Sequence, residues 1–370
     1  PTASGKTLLA ILAMFSSLYR HSGTKTVYLA PLRALASEKY QEFSEIAKAL
    51  GFKASISTGD LDGTTRWLSK SDIIILTNEK FDSLIRHQVS WLNDISVIVS
   101  DEVHLINDYT RGPVLEVVLS LVQKNIPNCQ IIALSATIEN SNEIASWLNA
   151  KLVTSDWRPI KLQEGVWYEG EIYLADGKII AGGKERDKTG YISLSEEIVE
   201  QGGQTLVFAN TRKSAVTSAV NVSKKMKHLL KEETIVKLAK IAEEIRSIGE
   251  KTDLREQLAE IVEKGVAFHH AGLISSHRKI VEDSFRERLL KVIASTPSLA
   301  AGVNLPGRRV IIRSLSRYSR GFGSTLIPVL EYKQIAGRAG RPQYDPWGQA
   351  IVIAKNRNEV DEILGRYIRS

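Results

Sequence analysis

Five short runs of apolar and β-branched residues, at 26–30, 53–57, 73–77, 95–100 and 130–134, alternate with stretches long enough to form helices. Strands that alternate with helices build a parallel sheet through right-handed crossovers, with helices on both faces. Such a sheet leaves the C-terminal ends of its strands open for ligands. The first half of the chain is therefore expected to be an open α/β sheet. The same alternation resumes at 205–210, 266–269, 292–295, 310–312 and 348–354, which sets out a second α/β unit. Between them, 163–174 and 178–193 read as a pair of short strands around 175–177, a hairpin-like linker. The expected division is a first domain over 1–157, a linker over 158–195 and a second domain over 196–370.

The strand ends carry the chemistry. The chain opens PTASGKT, where Thr2, Ala3, Ser4 and Gly5 read as a loop whose backbone N–H groups cradle phosphates. Lys6 reaches the outer phosphates and the Thr7 hydroxyl ligates Mg²⁺. The apolar run that follows makes a helix whose N-terminal dipole points at the phosphates. A GKT tripeptide also occurs in plain loops, so its weight comes from its company. SDEVH, at 100–104, follows the fourth strand and sets two carboxylates at its end. Asp101 is placed to hold Mg²⁺ through water, and Glu102 to orient and deprotonate an attacking water. A charged turn is the plain alternative, but loop and carboxylates in this order favour nucleotide hydrolysis.

In the second half, YKQIAGRAGR at 332–341 sets Arg338 and Arg341 three residues apart, close to one helical turn. Two guanidiniums on one face suit the charge that grows on a transferring γ-phosphate. A basic helix surface is the alternative; Gly337 and Gly340 are poor choices for it unless backbone must approach closely. STPSLAAGVNLP, at 295–306, mixes hydroxyls with glycine after a strand and suits phosphate contacts. Residues 309–316, 319–324 and 325–330 read as strand, turn and edge strand. Arg308, Arg309, Arg313, Arg317 and Arg320 lie on the first arm and tip of this hairpin, with Tyr318 and Phe322 near the tip. Arginines on phosphates and an aromatic on the last base pair would make a separation pin; a surface hairpin with its aromatics folded back is the alternative.

Charge supports a polyanion partner. The net charge is +7, yet residues 1–157 carry 14 basic and 16 acidic side chains and residues 158–370 carry 35 and 26. One cysteine, Cys129, excludes a disulfide framework or a zinc cluster and points to a reducing interior. No window is apolar enough for a membrane span. His269 and His270 lack a third ligand nearby, so a metal reading fails there.

In order with APLRALASEKY (30–40), STGD (57–60), TNEKFDSLIR (77–86), SAT (135–137), VFANTRKSA (207–215) and FHHAGL (268–273), these motifs resemble the superfamily 2 DExH helicases of the Ski-like group. Within it the chain is most similar to the archaeal Hjm-type DNA repair helicases. The resemblance implies two tandem RecA-like domains that close on ATP and Mg²⁺, 3′-to-5′ translocation on single-stranded DNA, and unwinding of duplex or forked DNA in repair or replication restart. It implies a monomeric motor, cytoplasmic and nucleoid-associated in an archaeon, nuclear in a eukaryote. By the same matching, Gln334 aligns the nucleophilic water, and Ser135 and Thr137 couple ATP to the strand. His104 links the carboxylate loop to the second domain, and Pro31, Arg33, Thr77, Arg212 and Thr296 contact the nucleic-acid backbone. Related helicases place a strand-separating hairpin between the same two motifs. The first loop residue, its preceding strand and an adenine-reading glutamine motif are expected upstream of residue 1, and winged-helix and ratchet domains beyond residue 370. An RNA helicase of the same group, and a nucleotide-dependent switch that binds strands without unwinding them, remain the rival readings.

Overall fold

The computed structural model describes residues 5–59, 65–136, 138, 140–155, 157–183, 189–297, 305–319, 323–342 and 344–369. It falls into two compact units that divide between Trp157 and Arg158.

The first unit is a five-stranded parallel sheet in the order β2-β3-β1-β4-β5, made of β1 (Lys25–Ala30), β2 (Ala54–Ser57), β3 (Ile73–Thr77), β4 (Ile95–Ser100) and β5 (Gln130–Ala133). Strand periodicity sends alternate side chains to opposite faces. Tyr28 and Ala30 therefore pack beneath α1 (Lys6–Arg20) and α2 (Arg33–Ala49), while Val27 and Leu29 pack beneath α3 (Asn78–Arg86) and α4 (Gly112–Asn125). With both faces covered, β1 and β3 are buried along their whole length, which is why they read as unbroken apolar runs.

The second unit is an eight-stranded sheet in the order β10-β11-β9-β12-β15-β6-β7-β8. Its parallel part comprises β9 (Thr205–Phe208), β10 (Val266–His269), β11 (Val292–Ser295), β12 (Arg309–Ile312), β15 (Gly348–Ile353) and β6 (Leu162–Tyr168). The strands β7 (Glu171–Leu174) and β8 (Ile179–Ala181) continue it antiparallel. After β9 come α5 (Arg212–Met226) and two further helices at Glu232–Ser247 and Asp253–Val262.

Two sequence expectations change. The segment read as a linker is part of this second sheet, because β6 pairs with β15 from Leu162↔Gly348 to Ile353↔Trp167. Its second arm is strand only over Ile179–Ala181; Tyr191–Glu200 is a helix that buries Tyr191, Leu194 and Ile198 at helical spacing. The hairpin is shorter than expected. Its arms are β13 (Ser316–Ser319) and β14 (Gly323–Leu326), while Arg309–Ile312 is a central strand of the sheet. Arg309 is buried there because Glu197 (2.6 Å), the Leu194 carbonyl (2.8 Å) and Gln349 (2.7 Å) all accept from it. Arg308 lies over the Trp347 ring, and Arg313 donates to Ser218 and lies over Tyr191. Three arginines assigned to the hairpin thus serve the body of the unit. Arg317, on β13, is exposed and pairs with Glu331 at 3.1 Å. Arg320 and Phe322 lie outside the described residues.

Candidate nucleotide site

In the first unit the ends of β4 and β5 and the start of α1 converge. Gly5, at φ 84°, sits in the left-handed region that glycine enters without penalty and caps α1. The chain can thereby turn into a helix whose first-turn amides, as at any helix start, have no intrahelical acceptor and suit an anion. Burial pulls the Lys6 ammonium below its usual pKa, while Glu102 and Asp101 favour its charge. The Thr7 hydroxyl accepts from Lys39 at 3.3 Å. Thr2, Ala3 and Ser4 lie outside the described residues.

Asp101 is held by its own strand pair. Its N–H donates to Leu29 on β1 (3.0 Å), the Tyr28 hydroxyl donates to Oδ2 (2.5 Å), and the Glu102 N–H donates to Oδ1 (2.9 Å). The buried phenol next to this carboxylate has its pKa pushed far up, by burial first and then by Asp101, so it stays a donor. Glu102 has φ 52°, a left-handed conformation that costs a non-glycine residue roughly 1–3 kcal/mol and that clusters at functional sites. The turn lifts its carboxylate to partial exposure while Asp101 stays buried.

The two loops are joined by His104. Val103 N–H donates to Leu134 (2.8 Å) and Ala136 N–H donates to His104 Nδ1 (3.3 Å), a bond that uses the Nδ1 lone pair and so the tautomer protonated on Nε2, while Glu102 Oε2 lies 3.3 Å from the same nitrogen. Burial, aided by Lys6, depresses the His104 pKa to about 4. Within its own unit His104 links the carboxylate loop to Ser135–Ala136. Ser135 donates to the Ala136 carbonyl (2.7 Å), and Thr137 lies outside the described residues.

A neutral buried histidine makes a pH prediction. Unfolded, His104 takes up a proton near pH 6.5; folded, only near 4. The unfolded state therefore binds more protons between these values, and stability falls as pH drops through that window. Between pH 7 and 5 this group should cost about 2 kcal/mol. His104→Gln, which keeps an acceptor for Ala136, should lose that share of the pH dependence in urea unfolding; an unchanged slope would refute a neutral His104.

The other sequence-predicted residues of this unit lie at neighbouring strand ends. Pro31 is buried and Arg33 exposed after β1. Thr77 is buried, and its hydroxyl caps α3 by accepting from the Lys80 N–H (3.4 Å).

In the second unit, the helix Val329–Ala336 carries Gln334 and ends at Gly337; Gln334 and Arg338 are partly exposed. Arg341 is not. The residue is 6% exposed, and its guanidinium forms a bidentate pair with Asp345 (2.7 and 2.8 Å), with Gln204 accepting as well. Gln204 in turn donates to the Phe285 (2.8 Å) and Leu290 (2.6 Å) carbonyls. Arg341, read from the sequence as a finger beside Arg338, thus commits three of its five guanidinium N–H groups inside its own unit. Sequence reasoning missed Asp345, four residues on, which a buried arginine requires.

At the strand ends of this unit, Arg212 is exposed at the start of α5, whose cap is a reciprocal Thr211–Ser214 pair. His270 Nδ1 accepts from Gly272 (3.1 Å) and its ring stacks on Phe268, while His269 pairs with Glu282 (2.8 Å). His270 thus serves the turn, and His269 ties the end of β10 to the helix Ser275–Arg286. Thr296 follows β11 and accepts from Ser295 Oγ (3.0 Å). Among the described residues no group of three His, Cys, Asp or Glu side chains is placed to hold a metal ion, and no helix is long and apolar enough to cross a membrane.

The DEAD/DEAH box helicase family matches residues 1–144, and the helicase conserved C-terminal domain matches residues 221–343. Similar curated proteins carry the name ATP-dependent DNA helicase Hel308. That of Methanocella arvoryzae is 50% identical across 100% of this chain and 50% of its own length. Those of Pyrococcus horikoshii and Caldivirga maquilingensis are 44% and 43% identical, again across 100% of this chain, and 49% and 48% of their own lengths. The chain spans about half the length of the curated relatives it matches.

Proposed function

The chain belongs to the DEAD/DEAH box helicases of superfamily 2, with two tandem RecA-like domains akin to those of the archaeal Hel308 proteins, and on that premise we propose that it is the motor of an ATP-dependent DNA helicase. The observation that carries the reading is the convergence of Lys6, Asp101 and Glu102 at one edge of the first sheet.

Lys6 and the amides at the start of α1 bind the outer phosphates of ATP. Thr7 and Asp101 offer a hydroxyl and a carboxylate, hard oxygen donors that suit Mg²⁺, and Tyr28 and the Glu102 amide fix the carboxylate's orientation. A bound Mg²⁺ would neutralise phosphate charge. Glu102, raised by its left-handed turn, takes the proton from the attacking water. Gln334 aligns that water and Arg338 meets the growing charge, while Arg341 holds the loop behind it through Asp345. Ser135, Thr137 and His104 tie the hydrolytic edge to the nucleic-acid edge. Arg33, Arg212 and Thr296 contact strand phosphates, and the β13–β14 hairpin, with Arg317, Tyr318, Arg320 and Phe322, parts the duplex. The direction is 3′ to 5′, the substrate single-stranded or forked DNA in repair, the motor a monomer working beside the nucleoid.

The test is the ATPase rate with and without single-stranded DNA or RNA of matched length. Stimulation of about tenfold or more by DNA, and less by RNA, is expected; equal or greater stimulation by RNA would make RNA the substrate, and no response to either would make the chain a switch. Strand affinity should fall steeply with salt and vary little among mixed sequences, because the assigned contacts go to phosphates. A strong sequence preference at fixed salt, in fluorescence anisotropy, would refute that.

A further inference from the structure

Arg158 is the first residue of the second unit, and its side chain reaches across that unit to the loop that carries Arg338. One terminal nitrogen, Nη2, donates to the Gly337 carbonyl at 3.0 Å and to the Ala339 carbonyl at 2.6 Å. These are the carbonyls of the two residues on either side of Arg338. The Gly337 carbonyl lies at the C-terminal end of the helix Val329–Ala336, where carbonyls lose their intrahelical partners and a cation is favoured by the dipole.

The loop is gripped from the other side as well. Gly307 N–H donates to the Arg338 carbonyl (3.1 Å), and Gly340 N–H donates back to Gly307 (2.7 Å). Gly348 brings its bare α-carbon against the Ala339 peptide, where any side chain would collide with the carbonyl. Arg158 is half-buried; burial lowers its pKa and Glu164 opposes that shift, so the guanidinium stays charged at neutral pH. Both bonds come from the two N–H groups of Nη2, held in the guanidinium plane, and the Nζ of a lysine, one bond nearer the backbone on a flexible stem, would reach the two carbonyls less well.

We propose that Arg158 is a positioning residue for Arg338: it fixes the carbonyls of the two residues that flank Arg338, and so ties the point where the second unit begins to the placement of the arginine that meets the γ-phosphate. The proposal rests on the role given to Arg338 above.

The experiment compares Arg158→Ala, Arg158→Lys, Arg338→Ala and the double variant Arg158→Ala/Arg338→Ala in the full chain. Arg158→Ala should lower the DNA-stimulated kcat by about tenfold or more, as a misplaced catalytic group does, with the KM for ATP changed by less than about twofold. Arg158→Lys should restore only part of the loss. In Arg338→Ala, removing Arg158 should cost nothing further, since the two act as one unit. Amide hydrogen exchange over 338–340 should rise in Arg158→Ala whatever the ATPase does. Unchanged exchange would overturn the clamp, and additive losses in the double variant would overturn the positioning role. If Arg338→Ala alone hydrolyses ATP at the wild-type rate, the role of Arg338 fails and the positioning role with it, while raised exchange in Arg158→Ala would still show the clamp.

Discussion

Glu102→Gln is expected to retain ATP binding and to lose hydrolysis by about two orders of magnitude or more, the scale of removing a water-orienting base. The substitution keeps the size and the hydrogen-bonding reach of the side chain but removes its capacity to take a proton. Little structural damage should accompany it, since the carboxylate is partly exposed and the turn is fixed by backbone bonds: the Glu102 N–H on Asp101 and its carbonyl accepting from Leu105 (2.9 Å). Lys6, which feels both carboxylates, loses one favourable neighbour and keeps the other. Equilibrium ATP binding measured beside steady-state phosphate release checks the split. Turnover within about threefold of wild type would remove Glu102 from the role of base.

Arg341→Ala should lose stability on a scale no other single change considered above would match, about 3–5 kcal/mol, because it strands a buried carboxylate. Asp345 is 8% exposed and receives the Arg341 backbone N–H and both ends of its guanidinium. Gln204 would also be left with an unpaired carbonyl oxygen while its amide stays committed to Phe285 and Leu290. Urea unfolding of Arg341→Ala, set beside Asp345→Asn and the double variant, measures the coupling. If Arg341→Ala unfolds at the wild-type midpoint yet hydrolyses ATP poorly, the pair does not hold the loop and the finger reading returns to Arg341.

Much of the α/β order was legible because buried parallel strands announce themselves locally. Runs such as 73–77 and 95–100 have no other use for so many β-branched residues, and the motifs at their ends follow from the topology. Residues 163–174 held half of their answer: the antiparallel turn between β6 and β7 is a local signal, whereas the pairing of β6 with β15 joins segments far apart in the chain and leaves no mark in either. Arg309 was misplaced for a related reason. An arginine at the head of a strand looks solvated until Glu197 and Gln349, from two other elements, are brought around it. At the nucleotide site, the residue types gave Lys6, Asp101 and Glu102. The tautomer of His104 required the Ala136 amide, and the enclosure of Arg341 required Gln204, neither of which any spacing rule connects to them.

The contact between Gly348 and the Ala339 peptide sets how this unit can diverge over time. Helices on the outer face, such as Glu232–Ser247, can exchange one solvated residue for another with little consequence. At position 348 even a methyl group would have to push the Ala339 carbonyl aside, and that carbonyl is one of the two that Arg158 holds. The smallest inherited change there would be felt first as a displaced arginine, before any loss of the surrounding sheet.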